Sequence, residues 1–148
     1  MTQPSDARLL GVELVAGAGR LVRVVSREAG HDVPSATLRL LAQINDLAPT
    51  TVSALAEAER CAQPTMSIAV SGLVAKGWAA KSANPDDGRS HLVTLTQAGT
   101  RVLTDARTRN GAVIAGRLAA SPDHDLEDLA ATVSVLQSLL QQTPEGSS

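Results

Sequence analysis

Asn84-Pro85-Asp86-Asp87-Gly88-Arg89-Ser90 is a cluster of turn-forming residues that carries one arginine. It runs directly into His91-Leu92-Val93-Thr94-Leu95, where apolar and polar residues alternate. Turn chemistry followed by period-two alternation is the pattern of a β-hairpin with a charged tip. A guanidinium at such a tip suits the DNA minor groove, whose narrow stretches concentrate negative potential. Asp87 either orients Arg89 or braces the turn; the plainer alternative is an exposed ion pair worth at most ~1 kcal/mol. Two short helical patterns lie upstream, at 51–59 and 62–76, separated by a tight break. Two helices followed by a basic-tipped hairpin is the layout of a winged helix-turn-helix, whose second helix enters the major groove.

That second helix has an apolar stripe of Met66, Ala69, Val70, Leu73 and Val74. Subtracting the stripe leaves an outward face of Gln63, Thr65, Ser67, Ile68 and Ser71, with Pro64 in the first turn. Gln63 is able to make paired hydrogen bonds to adenine, Thr65 and Ser67 to reach bases or phosphates, and Ile68 to touch a thymine methyl. The alternative for each is an ordinary solvated helix surface. Lys76, Lys81, Arg60 and Ser90 are further candidates for phosphate contact, each weak alone.

The elements that must position these residues are mostly helical. A first helix is expected over 5–28, with Ser5 as its cap and Asp6 favoured by the helix dipole. Gly11, Gly17 and Gly19 weaken it by about 1 kcal/mol each relative to alanine. Close approach of another backbone, or simple local looseness, would account for them. Gly30-His31-Asp32 ends that helix, and Pro34 opens one carrying Leu38, Leu40, Leu41 and Ile44, which Asn45-Asp46 and Pro49 close. Thr50 or Thr51 caps the first motif helix, which buries Val52, Leu55 and Ala56. Gly77 caps the second, and 78–81 is a candidate strand. Thr96 caps a long helix reaching about Ala120. Ser121-Pro122-Asp123 has the composition of a new helix start. The last helix carries Leu126, Leu129, Val133, Leu136 and Leu140, a heptad seam. That seam either packs on its own subunit or joins two chains; a two-fold operator asks for a two-fold protein, which favours the dimer.

Composition bounds the function classes. The 148 residues suit one domain, expected to comprise helices for dimerisation at 5–33 and 97–142 around a winged-helix DNA-binding lobe at 34–96. Trp78 is the only aromatic residue, so the core must be aliphatic. Charge is near balance, 13 Lys+Arg against 15 Asp+Glu, so a DNA footprint has to be local. A single cysteine excludes an intrachain disulfide. Cys61 is read as a small buried hydrophobe, since a redox role needs exposure and a lowered pKa. No membrane span or signal peptide is expected, and a cytoplasmic location follows. The three histidines are scattered and form no metal site on paper, and the acids around His124 read as a helix start. No nucleophile elbow, Cys–His signature or Walker loop is present, so an enzyme is disfavoured and no cofactor is implied.

The stretch from Thr51 to Gly99 resembles the MarR family of bacterial transcription regulators. The matching segments are Leu55-Ala56, Gln63-Pro64-Thr65-Met66-Ser67, Leu73-Val74-Ala75-Lys76-Gly77-Trp78, Asn84-Pro85-Asp86-Asp87-Gly88-Arg89 and Leu95-Thr96-Gln97-Ala98-Gly99. The resemblance implies a homodimer on pseudo-palindromic double-stranded DNA. Such a protein usually represses, and is often released by oxidation or by a small phenolic or lipophilic effector bound between the winged helix and the dimerisation helices. The lack of aromatics suggests an aliphatic pocket lined by first- and fifth-helix residues and Trp78. The chain departs from the family at Ile68, often arginine, at Arg60, where the turn commonly has glycine, at Ala62, often a capping serine, and at Cys61, usually aliphatic.

The sequence therefore leads to a mainly α fold with a small β-hairpin wing, a winged helix-turn-helix with N- and C-terminal dimerisation helices. The expected DNA-binding residues are Gln63, Pro64, Thr65, Ser67, Ile68, Ser71, Lys76, Asp87, Arg89 and Ser90. The competing function is a protein–protein adaptor on the same fold, motivated by the near-neutral charge and Ile68.

Overall fold

Four helices and two strands contribute to one aliphatic core. The computed structural model describes residues 4–141. Its helices are α1 (Pro4–Glu28), α2 (Ser35–Leu47), α3 (Val52–Ala58), α4 (Gln63–Ala75), α5 (Gln97–Ala119) and α6 (Leu126–Gln141), and its strands are β1 (Thr50–Thr51), β2 (Ala79–Ala83) and β3 (His91–Leu95). The chain divides within α5, after Asn110, into two compact units. The core lies in the first unit. It joins Leu40, Leu41 and Ile44 of α2, Leu55 and Ala56 of α3, Met66, Val70 and Leu73 of α4, Ala79 of β2, Val93 of β3 and Leu103 of α5. Full burial of each large aliphatic side chain contributes about 1.5–3 kcal/mol.

The sheet is antiparallel in the order β1-β3-β2. Its hairpin follows the expected alternation, with Val93 fully buried. The first strand was not legible beforehand. Thr50 and Thr51 pair with Val93 and Leu92, and Thr51 then caps α3 by accepting from the Ala54 N–H at 3.2 Å. Helix α1 begins at Pro4, so Ser5 lies inside it and is not its cap. Pro34 takes the cap position of α2 and not its first turn. Among the described residues, a Cβ at Gly11 or Gly17 would meet nothing within 4 Å.

Both motif helices end in the same way. Gly77 has φ 73°, its N–H reaches the Val74 carbonyl at 2.9 Å, and the Trp78 N–H reaches that of Leu73 at 2.9 Å. This paired arrangement needs a left-handed residue just past the helix. At the end of α3 the equivalent bonds run from Arg60 to Glu57 (3.1 Å) and from Cys61 to Ala56 (3.0 Å), and the left-handed residue is Arg60, at φ 51°. A non-glycine residue is strained there, which explains why glycine suits this position. We expect Arg60→Gly to stabilise the fold by about 0.5–1 kcal/mol, read as a higher denaturation midpoint at unchanged m-value.

Thr96 fixes the start of α5. Its hydroxyl donates to the Gly77 carbonyl and accepts from the Gly99 N–H at 3.1 Å, while its own N–H donates to the Trp78 carbonyl at 3.0 Å. A Cβ at Gly99 would overlap the Trp78 carbonyl, so this helix turn seats against the end of the α4–β2 connection only because it has no side chain.

In the second unit, α6 starts at Leu126 and not at Ser121-Pro122-Asp123. Asp125 wins the competition for the cap: its Oδ1 accepts from the Glu127 and Asp128 N–H groups at 2.9 and 3.1 Å, and Asp128 Oδ2 accepts back from the Asp125 N–H at 3.2 Å. That reciprocal pairing satisfies three N-terminal donors at once. No residue of α6 is buried, and Leu126 and Leu140 are 73% and 85% exposed. On α1, in the first unit, Leu9, Leu10, Val12 and Val15 are likewise open.

Candidate nucleic-acid interface

Helix α4 is pinned to the core by Met66, Val70 and Leu73, a spacing of four and three that keeps one narrow face inward. The stripe is narrower than its sequence suggests, because Ala69 and Val74 are exposed. Gln63, Pro64, Thr65, Ile68 and Ser71 are all exposed, and Ser67 is half-buried. Ile68 is 75% exposed, a large apolar side chain on an otherwise small and polar surface. The cap of α4 is Ala62, which has no side-chain hydrogen bond to offer.

The wing is braced by its own turn residues. Asn84 Oδ1 accepts from the Asp86 N–H (3.1 Å) and Asn84 Nδ2 donates to Ser90 Oγ (2.8 Å). Asp87 Oδ1 accepts from the Arg89 N–H at 3.0 Å, and the Asp87 carbonyl takes the Ser90 N–H at 3.1 Å. Asp87 therefore shapes the loop backbone. Among the described residues no carboxylate is paired with the Arg89 guanidinium, which is exposed. Ser90 is engaged within the turn, so its hydroxyl is less available as a phosphate donor than the sequence suggested. Lys76, the C-cap of α4, lies 4.9 Å over the Trp78 ring, which holds its stem while leaving the residue exposed.

Gln63 and Ser67 of α4 and Arg89 and Ser90 of the wing meet in one cleft of about 240 Å³. Its remaining walls are Thr51, Val52, Ser53, Lys81 and His91. Thus the outward helix and the basic loop open onto a common concave surface. Thr65, Ile68 and Ser71 lie outside the cleft walls on the exposed surface of α4, and Lys76 sits at that helix's other end.

Residues 34–91, from the start of α2 to the start of β3, match the sequence model of the MarR family. The winged-helix lobe belongs to the MarR family. Over its whole length the chain is similar to an HTH-type transcriptional regulator of Mycobacterium tuberculosis, at 28% identity over 141 residues, covering 95% of this chain and 98% of the relative. The solved structure of a putative transcriptional regulator from Pseudomonas aeruginosa superposes with a TM-score of 0.77 at 25% identity, covering 97% of this chain and 100% of that one. Streptococcus pneumoniae FabT, solved in complex with DNA, has the same fold at a TM-score of 0.59 and 17% identity, covering 91% and 94% of the two chains.

Beside the MarR-type lobe, the first unit holds a second cavity, of about 130 Å³. It is lined by His31, Asp32, Val33, Leu38, Val102, Asp105, Ala106 and Arg109. Trp78 does not line it, and its wall is part charged. Its rim is tied across a long sequence separation: His31 Nε2 is hydrogen-bonded to Asn110 Oδ1 at 2.8 Å, and Arg109 Nη1 lies 3.4 Å from the Gly30 carbonyl and 3.9 Å from Asp32 Oδ2. Cys61 is half-buried against the core. Among the described residues no group of three His, Cys, Asp or Glu is placed to hold a metal ion, and no helix is long and apolar enough to cross a membrane.

Four cleft residues were absent from the sequence-derived set: Thr51, Val52, Ser53 and His91. Only His91 left a signal. It stands two residues before Val93 in an alternating strand and so shares the inward face.

Proposed function

We propose that the protein is a dimeric DNA-binding transcription regulator that represses from a pseudo-palindromic operator. Helix α4 of each subunit enters a major groove through Gln63, Pro64, Thr65, Ser67, Ile68 and Ser71. The two α4 helices read half-sites about one helical turn apart. Arg89 enters the flanking minor groove on a loop stiffened by Asp87 and Ser90, and Lys76 contacts a phosphate. The observation that carries this reading is the shared cleft: an exposed small-polar helix face and an unpaired arginine loop open onto one surface of an MarR-type lobe. The open apolar residues of α1 and of α6 supply the dimer contact, since exposed apolar patches of this kind mark association surfaces. A small lipophilic or phenolic effector in the His31–Arg109 cavity relieves repression by altering the separation of the two reading heads.

Titration of the protein against duplex DNA, recovered by selection from random sequence, at two salt concentrations tests the central claim. Affinity must fall steeply with salt, because phosphate neutralisation releases counterions. An absence of binding even at low salt would leave the adaptor function, for which exposed Ile68 is the natural anchor.

A further inference from the structure

The cleft between α4 and the wing contains more than its base-reading neighbours require. In the β2–β3 register Ala79 stands opposite Leu95, Lys81 opposite Val93 and Ala83 opposite His91. Directly opposed residues share a face of the sheet, and this face is the buried one, as Val93 and Ala79 show. Lys81 and His91 therefore occupy positions that would be apolar if the core continued to the end of the hairpin. Instead the hairpin overhangs the core, both residues are exposed, and both wall the cleft together with the hydroxyl-bearing Thr51, Ser53, Ser67 and Ser90. The charged or titratable groups of the wall are Lys81, Arg89 and His91. No carboxylate lines it, and the Asp87 carboxylate beside it is turned to the Arg89 backbone N–H.

We infer that this cleft is a phosphate seat, in which Lys81 and His91 hold one backbone phosphate of the DNA between the two grooves read by α4 and the wing. The inference rests on the DNA-binding function proposed above. A concave site with the nitrogen donors of Lys81, Arg89 and His91, the hydroxyls of Ser53 and Ser67 and no acid matches a phosphodiester oxygen pair and carries no information about the base attached. His91 adds a ring N–H donor to the seat.

Kd for the selected duplex and for an unrelated duplex, measured against salt for the parent, Lys81→Ala and His91→Ala, tests this. Both residues are exposed, so both variants should melt like the parent. Lys81→Ala should lower the slope of log affinity against log salt by about two, one contact in each subunit at roughly 0.9 per phosphate. Its loss of affinity should be equal on the two duplexes. His91→Ala should weaken binding to the two duplexes equally, since a phosphate contact carries no base information. Inorganic phosphate should displace DNA from the parent more strongly than chloride at equal ionic strength, and should lose that advantage in Lys81→Ala. Unchanged salt slopes and affinities in variants that still bind DNA would overturn the phosphate seat while leaving the regulator function standing. Phosphate-specific displacement without any slope change would assign the cleft to free phosphate and overturn its DNA role. A parent that binds neither duplex at low salt would remove both.

Discussion

Arg89→Ala is expected to weaken binding to the selected operator by at least about a hundredfold while leaving the dimer intact. The guanidinium is exposed and meets no carboxylate among the described residues, so its removal costs the free protein little. In the proposed complex it would give a charge-assisted hydrogen bond in a groove of concentrated negative potential, worth about 1.5–3 kcal/mol. On the proposed two-fold operator two wings would act, which gives about 3–6 kcal/mol in total, and every 1.4 kcal/mol is tenfold. Alanine retains the backbone N–H that Asp87 accepts, so the loop keeps its shape. The measurement is fluorescence anisotropy with labelled operator, alongside sedimentation of the free protein. An alanine variant that binds as tightly as the parent would show that the wing does not touch DNA.

How far such claims were legible in the sequence depends on the distance over which each feature is determined. The wing is local. Asn84, Asp86, Asp87 and Gly88 set a turn through their own side chains and backbone, and alternation sets the strand that follows. The end of α4 is local in the same sense, because only the αL requirement at Gly77 decides it. By contrast, β1 is two residues long and exists through its pairing with β3, where Thr50 meets Val93 and Thr51 meets Leu92, so no periodicity announces it. The start of α6 failed for another reason: two adequate cap sequences compete, and the reciprocal Asp125–Asp128 pairing wins over a serine followed by proline. The cleft shows both regimes. Gln63, Ser67 and Arg89 were found as surface residues of local elements. Thr51, Ser53 and His91 join them only once β1 and β3 are in register. The His31–Arg109 cavity is wholly non-local, so its charged lining had no counterpart in the periodicity of either helix.

The second large effect concerns assembly. The spacing Leu126, Leu129, Val133, Leu136, Leu140 alternates three and four, which directs all five side chains to one seam of α6. Among the described residues that seam is largely open, with Leu129 half-buried and Val133 44%, Leu136 36% and Leu140 85% exposed. A sixteen-residue helix with no buried residue has little to hold it in isolation, so tertiary or quaternary burial must supply the stabilisation. Each leucine buried on association contributes about 1.5–3 kcal/mol, and a two-fold interface counts it twice. Replacing Leu136 by aspartate removes that term and places a charge where desolvation adds several kcal/mol more. We therefore expect Leu136→Asp to sediment as a monomer at concentrations where the parent is a dimer, and to lose operator binding as a consequence, since one reading head holds only a half-site. Leu136→Ala should weaken the dimer without abolishing it, which separates lost burial from added charge. If Leu136→Asp remained a dimer with parental affinity for DNA, the α6 seam would not be the subunit interface, and association would have to run through the open apolar residues of α1 alone.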